Sequence, residues 1–220
     1  MAQSHDNPAF KTGTELLAVL HQKFYQGPCR TYTFSQHNTH YKADTVSGHS
    51  EWKEAISFPD KFRIDVGEKG DGNYVVFRND SAFNFKGGKV VKARVDSNSL
   101  LLILGGMYYR NLEDVKVRLH QADYAFEQLS AQHWNGAEVL VMGALENDLS
   151  SNQIWIDKAT LRVLRILEKI NEKEMMDMRF ESHQKWCKGF VETKVSFRRN
   201  GKLEQVEEYY DITPVLKFPN

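Results

Sequence analysis

The period of the apolar positions divides this chain. Leu16, Leu17, Leu20 and Phe24 recur at helical spacing behind the capping residues of Thr12-Gly13-Thr14-Glu15, and Gly27-Pro28 ends the pattern, so one amphipathic helix is predicted. After Cys29 the period becomes two. Tyr32 and Phe34 alternate with Thr31, Thr33 and Ser35; Trp52, Ile56 and Phe58 share a face; Phe62, Ile64 and Val66 alternate with Lys61, Arg63 and Asp65. Strands are also predicted over Tyr74 to Phe77, Ala82 to Phe85 and Val90 to Val95. Turn signals at Asp44 with Ser47-Gly48, Pro59-Asp60, Gly70-Asp71-Gly72-Asn73, Asn79-Asp80 and Gly87-Gly88 make sequential strands antiparallel neighbours.

The alternation stops at Ser99-Leu100-Leu101-Leu102-Ile103-Leu104-Gly105-Gly106-Met107-Tyr108-Tyr109, the one sustained apolar run. It falls short of the roughly 20 residues that cross a bilayer. With no polar face, it must be enclosed by protein or by ligand. Asp96-Ser97-Asn98-Ser99 and Asn111-Leu112-Glu113-Asp114 offer helix caps, so residues 98–121 are expected to form a helical lid or plug. Alternation then resumes over Tyr124 to Leu129, Glu138 to Leu145, Gln153 to Asp157, Leu161 to Ile170, Glu174 to Phe180, Phe190 to Phe197 and Gln205 to Ile212. About a dozen short strands cannot stay flat and open. The expected fold is mainly β (α+β), a curved antiparallel sheet forming an unclosed half-barrel wrapped around the N-terminal helix and the insertion. One domain over residues 1–220 is expected, with 1–11 a disordered or tag-derived lead.

Two stretches resemble a known family. Phe58-Pro59-Asp60-Lys61-Phe62-Arg63-Ile64-Asp65 resembles the early strand of bacterial outer-membrane lipoprotein carriers and sorting proteins, the LolA/LolB-like group. Gln153-Ile154-Trp155-Ile156-Asp157-Lys158-Ala159-Thr160-Leu161-Arg162-Val163 is similar to that group's later hairpin, and the order of elements agrees from about Thr14 to Thr213. The resemblance implies an unclosed barrel in the periplasm whose concave face and inserted helices enclose an apolar cavity for a lipid or for the acyl chains of a lipoprotein. It also implies envelope proteins as partners. Arg63, on the matching strand, is the candidate for the arginine that holds the family's lid. No lipid-attachment cysteine stands near the start, so an anchored acceptor form is not expected.

Composition narrows the alternatives. Lys+Arg and Asp+Glu balance at 29 each, which gives no basic field for phosphate backbones, so no nucleic acid partner is expected. The start, Met1-Ala2-Gln3-Ser4-His5-Asp6-Asn7-Pro8, lacks the apolar centre of a secretory signal; export is taken to rely on a signal absent from this sequence. Cys29 and Cys187 are expected to be two free thiols, because their spacing specifies no bridge. His37 and His40 point to opposite faces of a strand, and His183 with Cys187 makes two ligands, so no metal is expected. Glu207-Glu208 are adjacent and read as solvated; no Gly-x-Ser-x-Gly elbow or phosphate loop exists, and no cofactor or catalytic residue is assigned.

What remains is hydrophobic. Trp52, Phe62, Ile64, Phe83, Phe85, Trp155, Met176, Met178 and Phe180 occupy alternating positions able to face one concavity, and Leu100, Leu101, Leu104, Met107 and Tyr108 supply the lid, with Gly105-Gly106 as a hinge. A monomeric carrier without covalent chemistry is expected. The alternatives are a regulatory or assembly domain of the same fold that senses lipidated or envelope partners through its surface, and a hydrolase whose site the sequence does not reveal.

Overall fold

The computed structural model describes residues 10–25, 29–67, 70–96, 98–187 and 189–219. The expected lead at 1–11, up to residue 9, and the helix-stopping Gly27-Pro28 lie outside these residues.

Helix α1 (Gly13–Phe24) begins where the Thr12 side chain accepts the Glu15 amide at 3.2 Å. That bond satisfies one of the amides a helix start leaves unpaired. Six strands follow as a meander: β1 (Thr31–Lys42), β2 (Thr45–Ser57), β3 (Lys61–Val66), β4 (Tyr74–Arg78), β5 (Ser81–Lys86) and β6 (Lys89–Val95). The β1–β2 turn is tighter than the sequence suggested. Ala43 and Asp44, both at positive φ, make it, and Ser47-Gly48 runs on inside β2.

The apolar run then folds as α2 (Ser99–Leu101), a π-turn (Leu102–Gly106) and α3 (Met107–Tyr109), followed by α4 (Leu112–Gln121). Asn98 caps the first by accepting the Leu101 amide at 3.1 Å, and Asn111 caps the last by accepting the Glu113 amide at 2.9 Å. The second meander comprises β7 (Ala125–Trp134), β8 (Ala137–Gly143), β9 (Gln153–Asp157), β10 (Val163–Asn171), β11 (Glu174–Glu181), β12 (Gln184–Trp186), β13 (Gly189–Val191), β14 (Lys194–Arg199) and β15 (Lys202–Pro214). The expected strand from Phe190 to Phe197 is thus two, and β12 with β13 forms a separate small hairpin.

The main sheet has thirteen strands in the order β6-β5-β4-β3-β2-β1-β15-β14-β11-β10-β9-β8-β7, every neighbour antiparallel. The first meander runs from the centre to one edge, and the second returns from the other edge until β15 pairs with β1. The edges β6 and β7 do not meet, so the sheet is an unclosed half-barrel. Its concave side differs along its length. Over β8 to β11 it is filled: Leu140, Met142, Ile154, Ile156, Ile166, Met178 and Phe180 pack on Leu16, Leu17 and Leu20 of α1, on Ile103 and Met107, and on Val115 and Leu119 of α4. Over β1 to β4 a smaller cluster of Tyr32, Ile56, Phe77 and Ala82 takes Leu101 as its buried member from the insertion among the described residues. One half of the barrel has a solid core and the other is lined but not filled.

Cys29 and Cys187 form a disulfide, which corrects the expectation of two free thiols. Their 158-residue separation carried no sequence signal. The fold nonetheless brings the loop after α1 to the β12–β13 turn, with the two Cα atoms 6.5 Å apart.

Candidate functional site

The hollow half holds a partly open cavity of about 250 Å³ between the concave faces of β1, β2, β3 and β15 and the start of the plug. Alternation along each strand decides what enters it. On β2, Trp52, Glu54 and Ile56 line the cavity while Lys53 lies on the other face; on β3, Phe62 and Ile64 line it while Arg63 and Asp65 turn away. Tyr32, Phe34 and Gln36 come from β1, Glu207, Tyr209 and Ile212 from β15, and Leu100, Leu101 and Leu104 close it from the plug. A smaller cavity of about 90 Å³ lies beside it under the disulfide-linked hairpin, where Phe24, Tyr108, Trp186 and Phe190 contribute, and Leu104 and Glu192 border both.

Of the residues the sequence nominated, Trp52, Phe62, Ile64, Leu100, Leu101 and Leu104 therefore meet at one cavity, and Tyr108 at its neighbour. The others do not. Met107, Met178 and Phe180 are buried in the filled core, with Met176 packed against it. Trp155 lies on the convex face with Trp134, Val139 and Val141, because its neighbours Ile154 and Ile156 take the concave side. Phe83 and Phe85 are also placed opposite to expectation. The two-residue turn Asn79-Asp80, at positive φ in both residues, pairs Phe77 with Ala82 and Val76 with Phe83, which puts Ala82 on the concave side and the two phenylalanines outside. Phe85 stacks on Tyr74 there, with ring centroids 4.3 Å apart.

Arg63 belongs to that convex patch. Its guanidinium donates to both Asp65 carboxylate oxygens, at 2.8 and 2.7 Å, and lies 3.9 Å over the Tyr74 ring. These contacts lie on the convex side, away from the plug. The contacts that hold the insertion are others: Arg118 Nη1 donates to Asp80 Oδ1 at 2.5 Å, tying α4 to the β4–β5 turn, while Glu168 accepts from Ser99 Oγ at 3.0 Å and from Tyr124 OH at 2.6 Å. Gly105, offered as a hinge, has a definite packing reason: a Cβ there would lie 1.7 Å from the Phe58 ring, so only glycine lets plug and barrel approach so closely.

The polar part of the cavity went unread in the sequence. Glu207 and Glu208 do face apart, but Glu207 is only 8% exposed, which corrects its reading as solvated. It accepts from Tyr209 OH at 2.5 Å and from Gln205 Nε2 at 2.7 Å, and Asn38 links Gln205 to Gln36. Glu54, 5% exposed, has no hydrogen-bond or ion-pair partner among the described residues. Burial pushes Glu207 up to about 7 against those hydrogen bonds, and pushes Glu192 to about 7 with Glu207 nearby adding to it. Burial and the charge of Glu207 raise Glu54 well above the ordinary carboxylate range. Elsewhere, His37 pairs with Glu51, His40 bonds Ser50 Oγ at 3.0 Å, and no group of three or more metal-ligating side chains occurs among the described residues.

No family profile and no curated protein matches the chain in sequence. In structure it is similar to a LolA superfamily protein from Nitrosomonas europaea, with a TM-score of 0.59 at 11% identity over 94% of this chain and 95% of that one. It is similar also to a DUF1329 family protein from Desulfovibrio piger, with a TM-score of 0.62 at 15% identity over 94% and 93%. A third is a "putative outer membrane lipoprotein-sorting protein domain" from Vibrio parahaemolyticus, with a TM-score of 0.65 at 12% identity over 94% of each chain. At these identities the likeness is one of fold: the chain has the LolA-like half-barrel.

Proposed function

We propose that this LolA-like half-barrel is an envelope binding protein that holds a lipid, or the acyl chains of a lipoprotein, non-covalently in the cavity under its plug. The observation that carries the reading is the hollow half itself. Aromatic and aliphatic side chains from β1, β2 and β3 and three leucines of the insertion surround space that a packed core would fill. A volume near 250 Å³ falls just below the roughly 300–1,000 Å³ of small-ligand sites, so a long chain needs the plug to give way. Each methylene buried contributes about 0.8 kcal/mol, enough for a single chain to be carried reversibly. The Cys29–Cys187 disulfide supports an oxidising compartment, as the periplasm is.

A second reading, a domain that senses envelope partners through its surface, is favoured by β6. Every residue of this edge strand is exposed, Val95 by 89%, leaving a free edge for strand addition. Native mass spectrometry of gently purified protein, followed by denaturing extraction, separates the two. Bound lipid, together with loss of neutral N-phenyl-1-naphthylamine binding in Leu104→Trp at unchanged melting temperature, is expected. A lipid-free protein that binds no apolar probe would transfer the proposal to the edge strand.

A further inference from the structure

We infer that the cavity selects, among amphiphiles, one whose polar end is a protonated amine, which Glu54, Glu192 and Glu207 receive inside the barrel. The inference rests on the apolar-cavity reading above and adds the chemistry of the head group. Glu54, Glu192 and Glu207 all border this cavity, from β2, the β13–β14 connection and β15. None of its described lining residues is Lys, Arg or His; Arg162 and His183 line the neighbouring cavity, which Glu192 also borders. A cavity meant only for hydrocarbon has no use for three carboxylates, since each costs free energy to bury without a partner.

Glu54 is the decisive one. It is 95% shielded, stands between Trp52 and Ile56 on the cavity-lining face of β2, and meets no donor among the described residues. Glu207, by contrast, already has two donors, and its hydrogen bonds to Tyr209 and Gln205 fix it as a rigid acceptor beside the empty one. Burial raises the proton affinity of all three acids, and the charge of Glu207 adds to it at Glu54 and at Glu192. An entering ammonium, with three donors and one positive charge, relieves that repulsion and supplies the missing partner. A fatty-acid carboxylate or a phosphate ester does the reverse.

The test compares chains of equal length and different head groups. Dodecylammonium, dodecanol and dodecanoate would each displace N-phenyl-1-naphthylamine from the native protein at about pH 7.5, where the amine and the fatty acid are both charged. Charge-assisted hydrogen bonds to a desolvated carboxylate predict that dodecylammonium binds about tenfold tighter than dodecanol or better, and dodecanoate weaker than either. In Glu54→Gln, and in Glu54→Gln combined with Glu192→Gln, the preference for dodecylammonium over dodecanol, both measured on the same variant, should disappear. Dodecanoyl-lysine amide extends the series: binding comparable to dodecylammonium would support an amine carried on a lipopeptide, and its exclusion would support a free amino lipid.

Equal affinity for all three head groups, or an ammonium preference that survives both glutamine variants, would overturn the inference while leaving the apolar cavity standing. Failure of every chain, dodecanol included, to displace the probe would overturn the cavity reading itself. Glutamine is isosteric and uncharged, so the variants should melt no lower than the native protein. Should either melt lower, Glu54→Leu, which also removes the charge, must lose the preference for the inference to hold.

Discussion

Glu207 shows what a single position can hide. Its sequence neighbour Glu208 is an ordinary exposed acid, and period two says only that the two part company; which one goes inside depends on the register of β15 against β1, where Glu207 pairs with Asn38. The consequence is a linkage between pH and stability. Glu207 has an ordinary value of 4.5 and is held near 7 in the fold, among Glu54, Glu192, Tyr32 and Tyr209, which border the same cavity. The folded chain therefore binds more protons than the unfolded one between these values, and stability must fall as pH rises through them, with the full penalty above about 7. At about 1.4 kcal/mol per unit, the group costs on the order of 3 kcal/mol at alkaline pH. Glu207→Gln keeps an acceptor for Tyr209 and drops the charge. Its melting temperature should exceed that of the native protein by several degrees at about pH 8, at about 2–4 °C per kcal/mol, and match it at about pH 4. Equal curves across that range would show that the carboxyl is not held up by burial.

At the scale of elements, periodicity located nearly every strand because a half-buried strand must alternate. What it did not reveal was phase relative to the whole sheet. Phe62 and Ile64 lay where their alternation put them, yet Phe83 and Phe85, equally regular, went outside because a two-residue turn at Asn79-Asp80 reset the register. The site was legible in the same proportion: the apolar wall from β2, β3 and the plug could be read, whereas the carboxylates and the disulfide arise from contacts across the fold. Cys29 and Cys187 illustrate the limit, since a 158-residue separation leaves their meeting to tertiary structure. In the chain-entropy account, closing so long a loop contributes about 5 kcal/mol. Unfolding without reductant should expose no titratable thiol, the two cysteines being the chain's whole complement. Cys29→Ser with Cys187→Ser should lower the melting temperature by roughly 10–20 °C. Two thiols found in the unreduced, unfolded protein would remove the bridge and with it the argument for an oxidising compartment.

Over the whole molecule, the two halves of the barrel differ in what holds them. Strands β8 to β11 close on α1, Ile103, Met107 and α4 in a core whose members include Leu16, Leu17, Leu20, Met142, Ile154 and Ile166, each without accessible surface. Strands β1 to β4 lean on the plug through Leu101 and on the Phe58 ring against Gly105. The plug thus has one face in solid core and one over a void, and the second face lacks the packing partners that a ligand would supply. A π-turn at Leu102–Gly106 is the weak point in its ladder, where the helix already departs from regular bonding. Local opening should begin there rather than in the sheet, because the free energy of opening grows with the apolar surface it exposes to water. Amide exchange at Leu101 to Met107 should therefore quicken on delipidation and slow again when a chain is added back, by the factor that ligand concentration over Kd sets. Exchange in β9 and β10, from Gln153 to Ile166, should stay constant throughout. The decisive comparison is Leu104→Trp, which fills the void with protein: its plug should exchange slowly with or without lipid. If the plug of that variant still loosens on delipidation, the void is not what frees it, and the segment is ordinary core responding to a ligand elsewhere.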